Sequence, residues 1–189
     1  MDEQAAWRQL LTFSEDVPDP RDPRGQLYSL PELLLVIMSG LLAGSQNAED
    51  IAFFGQVHEQ WLCSLSPYKH GMPHHDAILR ILGRLKPDAV ENLVRRWIAA
   101  LLETHGESVD GGHVAIDGKA MRGSARKAPG KSGVHMVGAM LTGCGFVLGN
   151  ERVDVKSNEI KAIPLLLRSL NLSGATVTID AMGCQRAIA

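Results

Sequence analysis

Two aspartates, Asp117 and Asp180, stand where the sequence could bring a pair of carboxylates together for metal chemistry. Each ends a short predicted strand, 113–117 and 175–180. If the two strands run parallel as neighbours, both carboxylates lie at the same edge of the sheet. Hard ions such as Mg²⁺ or Mn²⁺ prefer oxygen ligands, and a pair of them can activate water or a hydroxyl in phosphodiester cleavage.

A structural role explains the same two residues equally well on spacing alone. Asp117 precedes Gly118 and could open a turn, and Asp180 could cap a following helix. An acid pair without further context is therefore a weak sign of a metal site, and the structural explanation is the simpler one at this stage.

Basic residues crowd the glycine-containing segment 118–133 that follows Asp117. A solvated loop would account for any one of them. Together, and beside a metal site, they suit contacts to DNA phosphates, which position a strand without reading its sequence. We predict such contacts first for Lys119 and Arg122, then for Arg126 and Lys127, and more weakly for Lys156.

The elements that would position these residues fall into two parts. Apolar residues recur at helical spacing in the first part, in five segments: 5–13, 30–43, 48–65, 75–85 and 87–105. In the second part the residue pattern predicts a strand at 113–117 and a hairpin of 134–141 with 146–155. A helix that ends near 170 and a last strand at 175–180 follow. We therefore expect an α+β protein with an all-helical domain, 1–108, followed by an α/β domain, 109–189.

The composition agrees with a folded, soluble chain. Of 189 residues, 45% are hydrophobic and 21% charged, which excludes a mostly disordered protein. The net charge of -2 conceals a gradient: segment 1–50 carries -6, segment 51–116 carries -1, and segment 117–189 carries +5. A basic C-terminal part is compatible with a nucleic-acid partner even though the whole chain is slightly acidic.

Cysteine usage and hydropathy point to the cytoplasm. The three cysteines are odd in number and form no CxxC pair, so neither a disulfide framework nor a cysteine-rich zinc site is expected. The longest apolar stretch, 33–43, is shorter than the ~20 residues that span a bilayer, and the acidic N-terminus is not a secretory signal.

Two further interpretations concern the helical part. Cys63 with His70, His74 and His75 could hold zinc, although their spacing is loose for a structural site and His74 could instead cap a helix through Asp76. The helices at 75–85 and 87–105 could form a helix-turn-helix that reads DNA, and they carry several bases: Arg80, Arg84, Lys86, Arg95 and Arg96. The turn between these helices is very short for that motif.

Several multi-residue blocks, in order along nearly the whole chain, resemble bacterial insertion-sequence transposases of the H-repeat-associated group. The runs 116–119 and 121–124 resemble their first catalytic block, and 178–185 resembles the second. The run 156–160, followed by Ile163 and Pro164, is similar to the segment that leads to their connecting helix. The run 16–21 and the helices after it resemble their associated N-terminal domain.

The resemblance implies a ribonuclease H-like catalytic domain with a DDE metal triad. Its first acid corresponds to Asp117 and its second to Asp180, which would be the catalytic and metal-binding residues for Mg²⁺ or Mn²⁺. The reaction implied is DNA cleavage at insertion-sequence ends and strand transfer into a target. DNA would be the partner, a homo-oligomer is compatible, and no nucleotide cofactor is implied.

The family's third acid, a Glu on a later helix, has no matching position, and Glu159 lies before the last strand, where the fold places no ligand. We therefore expect an incomplete catalytic domain, a truncated and inactive copy, and a two-ion site only in a full-length protein. The alternative function is a non-catalytic fragment that binds DNA or dimerises and so modulates a full-length transposase. An unrelated metal-dependent phosphohydrolase is a third possibility.

Overall fold

Helices and one four-stranded sheet make up this α+β chain, which is described by a computed structural model over residues 3–121, 133–153 and 159–180. The chain divides into two units, Met1–Leu101 and Leu102–Ala189. Among the described residues, no helix is both long enough and apolar enough to cross a membrane.

The elements before residue 106 are helical. They are α1 (Glu3–Ser14), a short 3-10 helix (Pro23–Gly25), α2 (Leu30–Leu42), α3 (Ala48–Val57), α4 (Glu59–Leu65), α5 (His75–Leu82) and α6 (Pro87–His105). The central helix α2 is buried around most of its surface, and its core side chains include Leu33, Leu34, Leu35 and Val36. A helix that is apolar on all sides belongs in the middle of a bundle.

A capping box starts α2. The Ser29 side chain accepts a hydrogen bond from the Glu32 backbone N–H, and the Glu32 carboxylate accepts one from the Ser29 backbone N–H at 2.8 Å. Glu32 also accepts a hydrogen bond from the backbone N–H of Tyr68, at 3.0 Å, while the Tyr68 hydroxyl donates to the Glu32 carbonyl at 2.8 Å. This buried polar network joins the start of α2 to the linker between α4 and α5.

One predicted helix, 48–65, is two helices in the structure. His58 leaves helical geometry with φ -105° and ψ 21°, and α4 begins at the next residue. Its ring lies 4.4 Å from the ring of Phe54, and beyond the break Trp61 packs edge-on against Trp7 with 5.4 Å between ring centroids. The apolar period continues across the break, which is why the sequence pattern did not reveal it.

The sheet contains β1 (His113–Ala120), β2 (His135–Leu141), β3 (Phe146–Val153) and β4 (Thr176–Ile179), in the order β3-β2-β1-β4. The β2–β3 pair is an antiparallel hairpin, as predicted, and β4 pairs with β1 in parallel. Gly145, with φ +73°, closes the hairpin turn, because its N–H bonds the Leu141 carbonyl in a conformation that favours glycine. The helix α7 (Glu159–Ser169) connects β3 to β4.

The two faces of the sheet differ sharply. One face is buried: Val114 and Ile116 of β1 share it with Val137 and Ala139 of β2, and α7 packs against β2 and β3. The opposite face is open to solvent and carries alternate residues of each strand. Its exposed polar members include Asp117, Lys119, Asn150, Arg152, Thr176 and Thr178, and the apolar Met140 and Val147 pair with each other on the same face.

Strand β1 is longer than the sequence predicted. We expected it to end at Asp117, but it continues through Ala120, paired residue by residue with β2. Gly118 faces Val137 and Lys119 faces Met136, so the backbone bonds of a neighbouring strand override the turn tendency of the Asp-Gly pair. Asp117 therefore lies inside a strand and does not open a turn after it.

Candidate active site

The parallel pairing of β1 and β4 brings the two predicted acids side by side. Ile116 of β1 pairs with Ile179 of β4, so the next residues in the same register are Asp117 and Asp180. Adjacent strands lie about 4.8 Å apart, and residues that pair in a sheet project to the same face. Both aspartates are exposed, on the face opposite Val114 and Ile116.

The donor set of this pair fits a divalent cation. Two exposed carboxylates at adjacent positions of neighbouring strands offer hard oxygen ligands. The Asp117 side chain forms no hydrogen bond or ion pair with any other described residue, so no described cation competes for its carboxylate. Like-charged neighbours repel each other, and a bound divalent ion would relieve that repulsion.

Of the predicted phosphate contacts, the structure places one. Lys119 lies on the same face of β1 as Asp117, two residues further along the strand, and is exposed. Arg122, Arg126, Lys127 and Lys156 lie outside the described residues. The phosphate contacts proposed for those four therefore stay predictions from the sequence.

Two polar residues of β3 share the open face and were not singled out from the sequence. Asn150 of β3 pairs with Gly138 of β2, which itself pairs with Asp117 of β1. Continuing the β1–β4 register by one residue adds Asp180, so one row reads Asp180, Asp117, Gly138, Asn150. The neighbouring row reads Lys119, Met136, Arg152. Only the strand register reveals these rows, because Asn150 and Arg152 are more than thirty residues from Asp117 in sequence.

The two arginines of α6 both form ion pairs with nearby carboxylates. Arg95 pairs with Glu91 at 2.6 Å, and Arg96 pairs with Asp16 at 2.8 Å while stacking over the ring of Phe13. Arg95 therefore pairs within α6, Arg96 holds α6 to α1 and the segment after it, and neither guanidinium is arranged as a base reader.

Arg80 and Arg84 line a cleft of about 350 Å³ beside the 3-10 helix, together with Arg21, Asp22 and Tyr28. Arg21 is bound to Asp19 through two guanidinium nitrogens, at 2.9 and 2.6 Å. The side-chain hydrogen bond from Arg21 lowers the pKa of Asp19, so this pair stays ionised at neutral pH. The positive charge available to a ligand in the cleft therefore comes chiefly from Arg80 and Arg84.

The histidines considered for zinc are only partly together. His74, His75 and Asp76 have ligand atoms within 4.8 Å of one another, and this group does not include Cys63 or His70. His74 is the N-cap residue of α5 but makes no side-chain capping bond; it contacts the Asp76 carboxylate at 3.3 Å. Three consecutive, largely exposed residues do not supply the closed tetrahedral set of a structural zinc site.

Comparison with known proteins identifies the family. The model of the DDE_Tnp_1-associated domain matches residues 11–98. "Putative transposase YncI" of Escherichia coli (strain K12) is 37% identical over 180 residues, which cover 95% of this chain and 71% of that protein. "H repeat-associated putative transposase YbfD" of the same strain is 34% identical over 182 residues, covering 96% of this chain and 70% of that protein.

A longer relative, "Putative transposase YncI" of Escherichia coli O157:H7, is 37% identical over 180 residues that cover 95% of this chain. The chain spans only 45% of that protein's length. No solved structure matches the chain. The identities and the matched domain together show that this chain belongs to the H repeat-associated family of transposases.

Proposed function

We propose that the protein acts in DNA transposition, with Asp117 and Asp180 binding the divalent metal of a ribonuclease H-like DDE active site. The observation that carries the proposal is the parallel register of β1 and β4, which supports a pair of carboxylates in one row. The order of strand, hairpin, helix and strand, with Asp117 in β1 and Asp180 directly after the parallel strand β4, is compatible with that fold.

The residues of this chain would hold the metal and the DNA strand. Mg²⁺ or Mn²⁺, when bound, would stabilise charge on the phosphate oxygens and lower the pKa of an attacking water or hydroxyl. Asp117 and Asp180 would fix the ion on two rigid strands, and Lys119 would neutralise a neighbouring phosphate. Because the open face is exposed, the DNA strand itself would exclude water from the acids once it is bound.

The test is cleavage of DNA that carries the ends of the insertion sequence encoding this protein. If Asp117 and Asp180 suffice for catalysis, the purified protein should nick such DNA in Mg²⁺ and leave it intact in EDTA. Binding without any cleavage would contradict a catalytic role for this chain.

A second candidate function is DNA binding without catalysis, and the arginine cleft of the helical unit favours it. Arg80 lies in the last turn of α5 and Arg84 in the turn after that helix, beside a cavity wide enough for a phosphate group. A fragment that holds DNA through this cleft could modulate a full-length transposase. It would bind phosphates without base contacts, and therefore without strong sequence preference.

Replacing both Arg80 and Arg84 with Gln is expected to weaken DNA binding and its salt dependence. Each lost phosphate contact reduces the magnitude of the negative slope of log K against log salt by about 0.9. The slope of the double variant should therefore be less steep by up to ~1.8. The measurement is fluorescence anisotropy with a labelled duplex at several salt concentrations. Arg8→Gln is the matched control, because Arg8 is exposed on α1 and its guanidinium bonds Gln4 alone among the described side chains. An unchanged slope in the double variant would exclude the cleft as a phosphate site.

A further inference from the structure

The open face of the sheet carries a pattern that the metal site alone does not use. Beside the row that holds both acids lies the row Lys119, Met136, Arg152, with a cation at each end. Rows two residues apart along a strand are about 6.7 Å apart, and the two cations are two strand spacings apart, or about 9.6 Å. Both cations are exposed, and neither forms an ion pair with another described residue.

Asn150 extends the same face at the far end of the acid row. Its side-chain oxygen lies over Gly138: a Cβ added to that glycine would stand 2.8 Å from Asn150 Oδ1. The amide thus occupies the space of the missing side chain and reaches across β2 towards Asp117. No other described residue bonds the Asn150 amide, so its donor and acceptor groups are available to a ligand.

We propose that Lys119, Asn150 and Arg152 form a phosphate-binding face that holds the backbone of a DNA strand beside the Asp117–Asp180 pair. The inference rests on the proposed function for its partner, DNA, and adds two residues of β3 to the site. Lysine and arginine supply charge to phosphate oxygens, and the neutral amide supplies hydrogen bonds without competing for a metal ion.

Charge complementarity argues for a phosphate backbone as the occupant. The face presents two cations and an amide, and its exposed apolar side chains, Met140 and Val147, lie in the row on the other side of the acids from the cations. The carboxylates at one end would repel phosphate unless a divalent ion covers them. A strand is therefore expected to lie along the cation row and reach the acid row only where metal is bound.

Charge-removing variants test this face against the opposite side of the same sheet. Lys119→Gln and Arg152→Gln are each expected to lower the salt slope of duplex binding in EDTA by about 0.9. Lys161→Gln and Arg168→Gln are the matched controls, because both residues are exposed on α7, which covers the other face. Equal slopes for the face and control variants would overturn the proposal, as would failure of the natural chain to bind duplex at low salt.

Asn150→Ala is expected to weaken binding about fivefold with an unchanged slope, because a neutral hydrogen bond contributes about 1 kcal/mol and releases no counterion. Gly138→Ala should produce the same loss by displacing the amide, and the double variant should lose no more than either single variant. Additive losses would contradict the inferred role of Gly138. Thermal unfolding of each variant checks that the sheet is intact.

A Mn²⁺ titration of the same variants separates this inference from the proposed function. Lys119→Gln and Arg152→Gln should keep the Mn²⁺ affinity of the natural chain, while the salt slope of their binding to duplex DNA becomes less steep. If the slopes fall but the natural chain binds no Mn²⁺, the phosphate face stands and the metal site is wrong. If Mn²⁺ binds but the slopes do not change, the metal site stands and the phosphate face is wrong.

Discussion

Replacing Asp117 with Asn should reduce Mg²⁺-dependent cleavage of insertion-sequence-end DNA by about 10³-fold. The substitution keeps the size and the strand position of the side chain but removes the charge that holds the ion. Metal stabilisation of the transition state is worth several kcal/mol, and each 1.36 kcal/mol corresponds to a tenfold change in rate. The measurement is the initial rate of nicking on end-labelled DNA at saturating Mg²⁺.

Asp110→Asn provides the matched control for that substitution. Asp110 is exposed and lies just before β1. Its carboxylate lies beside Gly174, in the turn before β4, at the ends of β1 and β4 opposite to Asp117 and Asp180. The Asp110→Asn substitution removes one negative charge from the same unit but does not change the row that contains Asp117 and Asp180. Equal cleavage by the Asp117→Asn variant and the natural protein would remove Asp117 from the active site, whatever the control shows.

Replacing Glu32 with Ala is expected to destabilise the helical unit by about 3 kcal/mol. Glu32 is 8% exposed, and its carboxylate accepts hydrogen bonds from the backbone N–H groups of Ser29 and Tyr68. Removing it leaves the buried Tyr68 N–H unpaired, at about 1–3 kcal/mol, and breaks the capping box at Ser29 that starts the central helix. Burial raises the pKa of the Tyr68 hydroxyl, which therefore stays a neutral donor to the Glu32 carbonyl.

Tryptophan fluorescence during denaturant unfolding measures this loss in one unit alone. All three tryptophans lie before residue 102, and Trp7 lies 5.4 Å from Trp61 and 5.3 Å from Trp97. Glu32→Gln should lose less, because its amide keeps one of the two acceptor oxygens. Glu59→Ala, at an exposed position of α4, should change stability by less than about 1 kcal/mol. A loss of less than about 1 kcal/mol for Glu32→Ala would contradict the stabilising role of the Ser29–Glu32–Tyr68 hydrogen bonds.

The sequence predicted the parts of this chain that depend on local pattern. Helical spacing and caps located five helical segments before residue 106, and turn residues located the β2–β3 hairpin. The expected parallel pairing of the strands before Asp117 and Asp180 is confirmed, because a helix between the hairpin and the last strand allows few other arrangements. The mixed α+β class follows from those elements.

The parts that the sequence did not predict depend on contacts distant in the chain. The end of β1 is set by pairing with β2, so an Asp-Gly pair that suggests a turn lies in a strand. Asn150 and Arg152 join the site only through register, and Tyr68 reaches Glu32 across 36 residues. Local propensity carries no information about such partners.

The most direct test of the account is Mn²⁺ binding by four proteins: the natural chain, Asp117→Asn, Asp180→Asn and the double variant. Electron paramagnetic resonance of unbound Mn²⁺ gives each affinity, with Mg²⁺ competition to establish a shared site. If the register unites the two carboxylates in one site, each single variant should lose affinity by at least about tenfold, and the double variant should lose little more. Full Mn²⁺ affinity in either single variant, or losses that simply add, would contradict a metal site built from Asp117 and Asp180.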